Sequence, residues 1–94
     1  MTERTSGHHV TLSGEYDIAR RQELMDLFRS IQGGPVTMDM TDVSYIDSTF
    51  IAELATMRFR LDGSSVTLVG VQPNIARVLQ VAKLDRFFIF GSPA

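Results

Sequence analysis

Apolar residues along this chain follow two periods, one typical of strands and the other of helices. Residues 8–13 and 36–40 alternate between polar and apolar, and 65–71 and 87–90 are short apolar runs, so four strands are predicted. Between them, apolar residues recur at i, i+3, i+4 and i+7, which predicts three amphipathic helices. The predicted core-facing stripes are Leu24, Leu27, Phe28 and Ile31; then Phe50 or Ile51, Leu54, Met57 or Arg58 and Leu61; and lastly Ile75, Val78, Leu79 and Ala82.

Capping and turn residues set the predicted boundaries of these elements. Gly14-Glu15-Tyr16 is expected to turn the chain, and Asp17 to cap the first helix. Val43 and Ile46 are placed in a short connection between the second strand and Asp47. Further boundaries are expected at Gly33-Gly34-Pro35, Asp62-Gly63 and Pro73.

Strands that alternate with helices indicate an α/β fold. We expect a small mixed, mostly parallel sheet of four to five strands with helices packed against it. One domain is expected over residues 1–94, with flexible polar ends at 1–7 and 91–94. The residues predicted to be buried in the core are Leu27, Phe28, Leu54, Leu68 and Leu79.

Composition and charge argue against several classes of function. The apolar fraction is 44% and the formal net charge is −2, values of an ordinary globular domain. Basic residues are scattered, so nucleic acid is not an expected partner. The apolar runs are far too short to span a bilayer and the start of the chain does not resemble a secretory signal, so we expect no direct membrane insertion. The lack of cysteine fits a reducing compartment, and a cytoplasmic location is expected.

The sequence contains no recognisable catalytic or cofactor-binding pattern. Phosphate-binding glycine motifs are absent, and Ser48 does not lie in a G-x-S-x-G turn. His8 and His9 are adjacent on a predicted strand and point to opposite faces, which argues against a two-histidine metal site. Asp42 and Asp47 are accounted for by turn and capping hydrogen bonds. We therefore expect no catalytic residue, no metal site and no cofactor, and the protein is not expected to be an enzyme.

Open α/β sheets place functional groups in the loops after the carboxyl ends of their strands. In this chain two such loops stand out, Gly14-Glu15-Tyr16-Asp17 and Asp47-Ser48-Thr49. The second opens a helix predicted over 48–61. Taken alone, Ser48 and Thr49 are accounted for as helix-capping residues.

Three segments, in the right order, resemble the STAS domain, the fold of anti-sigma factor antagonists. Residues 39–49, DMTDVSYIDST, are similar to the family signature, in which Asp-Ser-Ser or Asp-Ser-Thr opens a helix. Residues 10–17, VTLSGEYD, resemble the family's Gly-Glu-Leu-Asp turn, and residues 66–85 follow its third strand and helix. The resemblance covers about residues 8–90.

The resemblance implies a phosphorylation switch at Ser48. In that family the serine after the aspartate is phosphorylated by the partner anti-sigma factor, a GHKL-type serine kinase that supplies the ATP site. The unphosphorylated form binds the anti-sigma factor and so releases the sigma factor, and a PP2C-type phosphatase restores it. The partner-binding residues implied are Glu15, Tyr16, Asp17, Asp47, Ser48, Thr49, Phe50 and Glu53. All of these except Glu15 and Asp47 are expected to form one exposed patch.

The position of Ser48 is physically suited to such a switch. A helix N-terminus carries unpaired N–H groups and partial positive charge, so it tolerates a phosphate without unfolding. A phosphate adds about −1.5 to −2 charges. These would lie beside Asp47 and, across the same edge of the sheet, Glu15 and Asp17. The expected switch is therefore electrostatic.

One departure from the family pattern and two alternative functions remain open. Phe50 stands where the family usually has glycine, and it is expected either to add an apolar anchor or to block the kinase at Ser48. The first alternative is a non-phosphorylated STAS regulatory subunit of a membrane lipid-transport ATPase complex. The second is a ligand-sensing STAS module.

Overall fold

The computed structural model describes residues 8–92, which form four strands and three α-helices. In chain order these are β1 (His8–Tyr16), α1 (Arg21–Arg29), β2 (Val36–Ile46), α2 (Ser48–Arg60), β3 (Val66–Val69), α3 (Pro73–Val81) and β4 (Ile89–Gly91). Short 3₁₀ helices precede α1 and β4, at Ile18–Arg20 and Asp85–Phe87. Strands and helices therefore alternate as the sequence predicts.

The four strands form one parallel sheet in the order β1-β2-β3-β4. His9, Thr37, Thr67 and Ile89 lie side by side across it. Each pair of neighbouring strands is joined through a helix, and right-handed crossovers of this kind place all three helices on the same face. The predicted α/β class is confirmed, and over residues 8–92 the sheet is parallel throughout, with four strands.

A single hydrophobic core lies between the sheet and its helices. Val36, Met38 and Met40 of β2 are buried, whereas Thr37 and Asp39 between them are partly exposed on the opposite face. Of the predicted core residues, Phe28, Leu54, Leu68 and Leu79 are buried. Leu27 is only half-buried, because Leu24 and Phe28 take the inward face of α1.

The first two strands are longer than the sequence predicts. Gly14-Glu15-Tyr16 continues β1 and does not turn the chain, and Val43 and Ile46 belong to β2 and not to a connection. Gly14 pairs with Val43 and Tyr16 with Ile46, after register shifts that mark irregularities in the ladder. Gly14 has a φ of 83°, a conformation that glycine adopts without strain. Pairing between the two extensions thus replaces the predicted turn.

Smaller differences lie at the element ends. Asp17 caps the 3₁₀ helix before α1, accepting a hydrogen bond from Ala19 N at 3.0 Å, and does not cap α1 itself. Ala82 is exposed because it follows the last residue of α3. Phe87 belongs to the second 3₁₀ helix, so the last strand begins at Ile89.

Two expectations concern the ends of the chain and the membrane. Residues 1–7, 93 and 94 lie outside the described residues, so the flexibility predicted for them stays a prediction. Gly91, also predicted to be flexible, instead ends β4 and pairs with Val69. Across residues 8–92, none of the helices combines the length and the apolar character needed to cross a bilayer.

Candidate functional site

The start of α2 lies at the edge of the sheet where β1 and β2 end. Asp47 joins β2 directly to α2 without an intervening loop. Its backbone N–H donates to the carbonyl of Tyr16, the last residue of β1, at 3.1 Å. The ends of two neighbouring strands and the first turn of a helix are thereby held together.

Asp47 caps α2, as the sequence predicts. Its Oδ1 accepts a hydrogen bond from Phe50 N at 2.9 Å, and its carbonyl accepts from Ile51 N at 3.1 Å. Ser48 is therefore the first residue inside the helix. Its side chain is exposed, and its hydroxyl makes no hydrogen bond within residues 8–92, whereas Thr49 is half-buried. The first turn thus presents a free serine hydroxyl on a fixed backbone.

Phe50 does not belong to the exposed patch, contrary to the prediction. Its side chain is completely buried, and its ring centroid lies 5.2 Å from that of Tyr16 and 6.0 Å from that of Phe28. It begins the inward stripe of α2, which continues through Leu54 and Met57. Because it points into the core, Phe50 neither covers Ser48 nor provides an anchor for a partner.

Tyr16 is also buried, although the sequence placed it in the exposed patch. It is 4% exposed, because the strand extension turns it toward the core and because the Arg20 guanidinium lies 4.0 Å from its ring centroid. Its hydroxyl accepts a 3.4 Å hydrogen bond from Ser13 N. Tyr16 therefore supports the site from beneath and does not form its surface.

Arg20 is a structural residue of this edge that the sequence analysis missed. Its Nη1 donates to the Ser13 carbonyl at 2.6 Å, and its Nη2 donates to Glu23 Oε2 at 2.7 Å. The hydrogen bond from Arg20 holds the pKa of the Glu23 carboxyl below its usual value. The i, i+3 spacing of Arg20 and Glu23 was the only local signal, since the contacts with β1 depend on the fold.

The exposed surface of the site consists of Ser48 and two carboxylates: Glu15, near the end of β1, and Asp17, directly after β1. Glu15 is exposed and pairs in register with Tyr45, an exposed aromatic residue. Asp17 is exposed as well, and Asp47 is half-buried. Ile18, 67% exposed, follows Asp17 directly. Sequence reasoning did not assign Tyr45 or Ile18 to the site, although Tyr45 lies within the 39–49 signature.

Glu53, predicted to lie in the exposed patch around Ser48, lies instead beside α1. It is half-buried and lines a cleft between α1 and α2, together with Arg29 and Arg60. Arg60 fixes this side of α2, because its guanidinium donates to the carbonyls of Phe28 and Ile31 at 2.8 and 2.9 Å. Glu53 thus belongs to the α1–α2 cleft, one turn along the helix from the start of α2.

Metal binding has no support from the part of the chain that the structure describes. Within residues 8–92, no three histidine, aspartate or glutamate side chains lie close enough together to hold an ion. Asp39 makes local hydrogen bonds instead: its Oδ1 accepts from Thr41 N at 2.9 Å. The hydrogen bonds from Thr41 hold the pKa of the Asp39 carboxyl below its usual value.

A comparison with models of protein families identifies the family to which this fold belongs. A family model described as "Mlab, STAS domain" matches residues 1–90. The chain belongs to the STAS domain family. A comparison with curated proteins gives no significant match.

Solved structures with the same fold include STAS domains of two kinds. The STAS domain of a SulP transporter from Vibrio cholerae has a TM-score of 0.68 and 21% identity, covering 99% of this chain and 77% of the other. The anti-sigma factor antagonist SpoIIAA in its unphosphorylated form has a TM-score of 0.69 and 16% identity, covering 99% and 86%. A sulfate transporter family protein from Wolinella succinogenes has a TM-score of 0.71 and 17% identity, covering 96% and 80%. The resemblance to the STAS fold is confirmed.

Proposed function

We propose that this STAS domain is an anti-sigma factor antagonist that binds its partner through the start of α2 and is switched off by phosphorylation of Ser48. The observation that carries the proposal is the exposed hydroxyl of Ser48, which makes no hydrogen bond within residues 8–92, at the first position of a 13-residue helix. The partner proposed is an anti-sigma factor of the GHKL serine-kinase type, and a PP2C-type phosphatase would reverse the reaction.

Chemically, the switch is a phosphoryl transfer to which this chain contributes only the acceptor. The Ser48 oxygen takes the γ-phosphoryl group of ATP bound by the partner, which releases ADP and the hydroxyl proton. The free N–H groups of the first turn of α2 and the helix dipole favour the new negative charge. Since Asp47 already caps the helix through Phe50 N, the phosphate is not needed to hold the turn together. We therefore expect the backbone to stay unchanged.

The proposed effect on binding is electrostatic repulsion between the phosphate and an acidic surface of the partner. A phosphate brings about −1.5 to −2 charges to an edge that already carries Glu15, Asp17 and Asp47. Two unit charges about 4 Å apart interact by about 4 kcal/mol at an effective dielectric constant of 20, and half of that weakens binding roughly thirtyfold. This change should shrink at high ionic strength, because the charges are on the surface.

The burial of Phe50 supports access of a kinase to Ser48. The sequence alone left open whether this side chain covers the hydroxyl, and its complete burial against Tyr16 and Phe28 removes that obstacle.

The test measures binding and phosphorylation separately, with the purified protein and its candidate anti-sigma factor kinase. Ser48→Ala should bind as tightly as wild type and accept no phosphate, whereas Ser48→Asp should bind more weakly, though less so than the phosphorylated protein. Ser65→Asp is the matched control, because Ser65 is exposed at the opposite, amino-terminal edge of the sheet. If intact-mass analysis finds no phosphate on wild type, or if Ser65→Asp weakens binding as much as Ser48→Asp, the proposal is wrong.

A second candidate function is a non-phosphorylated regulatory subunit of a membrane lipid-transport ATPase complex. The SulP transporter and the sulfate transporter family protein among the solved structures support an association of this fold with membrane transporters; the lipid-transport complex itself rests on the resemblance stated from the sequence. In that case the protein would copurify with the transporter in a stable complex, and Ser48 would carry no phosphate in cells. Mass spectrometry of Ser48 in the natively isolated protein separates the two functions.

A further inference from the structure

A second surface of the molecule lies between α2 and α3. An apolar groove of about 380 Å³ is lined by Ile51 of α2, by Val78 and Val81 of α3 and by Ala82, which follows α3, with Arg77 as its polar member. Val81 is 77% exposed, more than any other large apolar side chain of residues 8–92. The groove is open to solvent, and its lining is almost free of polar groups.

The apolar surface continues along α2 beyond the groove. Ile51, Ala55 and Phe59 are spaced by four residues and lie on neighbouring turns of the same helix. Phe59 is 53% exposed, and its ring centroid lies 5.1 Å from that of Phe87 in an edge-to-face arrangement. Eight residues at 1.5 Å each make the strip about 12 Å long, which is slightly more than two turns of a helix.

Positive charge lies beside this apolar strip: Arg77 lines the groove, and the Arg86 guanidinium lies 5.9 Å from the Phe87 ring centroid. The segment from Pro73 to Phe87 carries Arg77, Lys83 and Arg86 against Asp85 alone. Arg58 of α2 reaches the same side, since its Nε donates to the Phe87 carbonyl at 2.8 Å. The charge here is opposite to that of the edge around Ser48, where carboxylates predominate.

We infer that the α2–α3 groove binds an amphipathic helix of a partner protein whose apolar stripe is flanked by acidic residues. The concave shape between two helices accepts apolar side chains at i, i+4 and i+7 of an incoming helix, and the strip is long enough for two of its turns. Arg77 beside the groove, and Arg58 and Arg86 beside Phe87, are placed to attract carboxylates on the flanks of such a helix. This inference goes beyond the proposed switch, because occupancy of the groove needs no phosphate at Ser48.

The test uses isotope-labelled full-length protein and two synthetic 18-residue helical peptides. Both peptides carry leucine at i, i+3, i+4 and i+7, and they differ only in having glutamate or lysine at the flanking positions. The glutamate peptide should shift the backbone amide signals of Ile51, Val78 and Val81 in NMR spectra. The lysine peptide should bind at least about tenfold more weakly, because its charges face Arg77 and its neighbours.

Two variants and a control assign the effect to the groove. Val81→Asp and Arg77→Glu change exposed side chains, so the fold should be retained, and each should weaken the glutamate peptide about tenfold or more. Ile18→Asp places the same charge on an exposed apolar residue of the other surface, 67% exposed in the wild type, and should leave the affinity unchanged.

Four results would overturn the inference. They are the absence of shifts for both peptides, shifts confined to other surfaces, and equal affinity for the glutamate and lysine peptides. The fourth is occupation of the groove by something other than a partner helix. A second copy of the chain would be detected as concentration-dependent dimerisation that is lost in Val81→Asp. A membrane surface would be detected as cosedimentation with phosphatidylserine vesicles that is lost in the same variant, while the glutamate peptide does not bind.

Discussion

Replacing Phe50 by alanine is the sharpest test of how the candidate site is supported. The side chain is completely buried between Tyr16 of β1 and Phe28 of α1. The variant removes the ring from the core without touching the Asp47 cap, whose hydrogen bond uses the backbone N–H of residue 50. Phe50→Ala therefore tests the packing beneath Ser48 separately from the capping of the helix.

The expected loss of stability follows from burial and geometry. Truncation of a fully buried phenylalanine to alanine costs about 3–5 kcal/mol, since apolar transfer energy and a cavity both contribute. Two aromatic neighbours with centroids at 5.2 and 6.0 Å place Phe50 at the upper end of that range. A small domain has only about 5–10 kcal/mol in total. With a urea m-value of about 1.5 kcal/mol/M, the midpoint should fall by roughly 3 M.

The assay is urea unfolding followed by circular dichroism, with Phe59→Ala as the matched control on the same helix. Phe59 is 53% exposed, so its truncation should cost about 1 kcal/mol or less. Phe50→Leu should retain most of the stability, because it keeps much of the buried volume. If the midpoints of Phe50→Ala and Phe59→Ala fall equally, Phe50 is not the core anchor of α2, and the argument for unobstructed access to Ser48 fails with it.

Three further predictions concern single contacts. Asp47→Ala should lower stability by about 1 kcal/mol and Asp47→Asn by much less, in thermal melts, because asparagine still caps the helix. Gly70→Ala should lower the free energy of unfolding, measured in urea, by about 2–4 kcal/mol, and Gly63→Ala by about 1 kcal/mol. Both glycines have positive φ, but only at Gly70 would a Cβ clash with Thr41. Because the pKa of Glu23 is lowered in the folded protein, its ion pair with Arg20 stabilises the fold at pH values above the pKa that Glu23 has in the unfolded chain. This stabilisation is lost as the pH falls through the pKa of Glu23 in the folded protein. Carboxyl ¹³C titration should show this pKa rising in Arg20→Gln, and an unchanged value would refute the role of that pair.

Elements whose signal is local could be predicted from the sequence. Asp47 followed by helical spacing identified the start of α2, and Pro73 identified the start of α3, because caps and first-turn residues act within a few positions. The strict alternation of Val36, Met38 and Met40 identified β2 in the same way. Alternation of strands with helices then led to the correct fold class.

Features that depend on distant partners could not be predicted. The strand extension at Gly14-Glu15-Tyr16 forms because it pairs with residues 43–46, thirty positions away. Its glycine is typical of a turn, so the sequence alone predicted a turn at this position. From helical periodicity alone, either Phe50 or Ile51 could point into the core. In the structure Phe50 does so, because its ring packs against those of Tyr16 and Phe28. Consequently the fold and the position of Ser48 at the start of α2 were predicted correctly, but Tyr16 and Phe50, which were expected on the surface, are buried.

The anchoring of the first turn of α2 also bears on how fast a partner associates. Phe50 in the core and the Asp47 cap hold the backbone around Ser48 in one geometry, so docking there orders few groups of this chain. Association of the proposed partner should then proceed without a slow conformational step, at about 10⁵–10⁷ M⁻¹s⁻¹. Surface changes around Ser48 should alter mainly the residence time of the complex, whereas changes in the buried support should slow its formation.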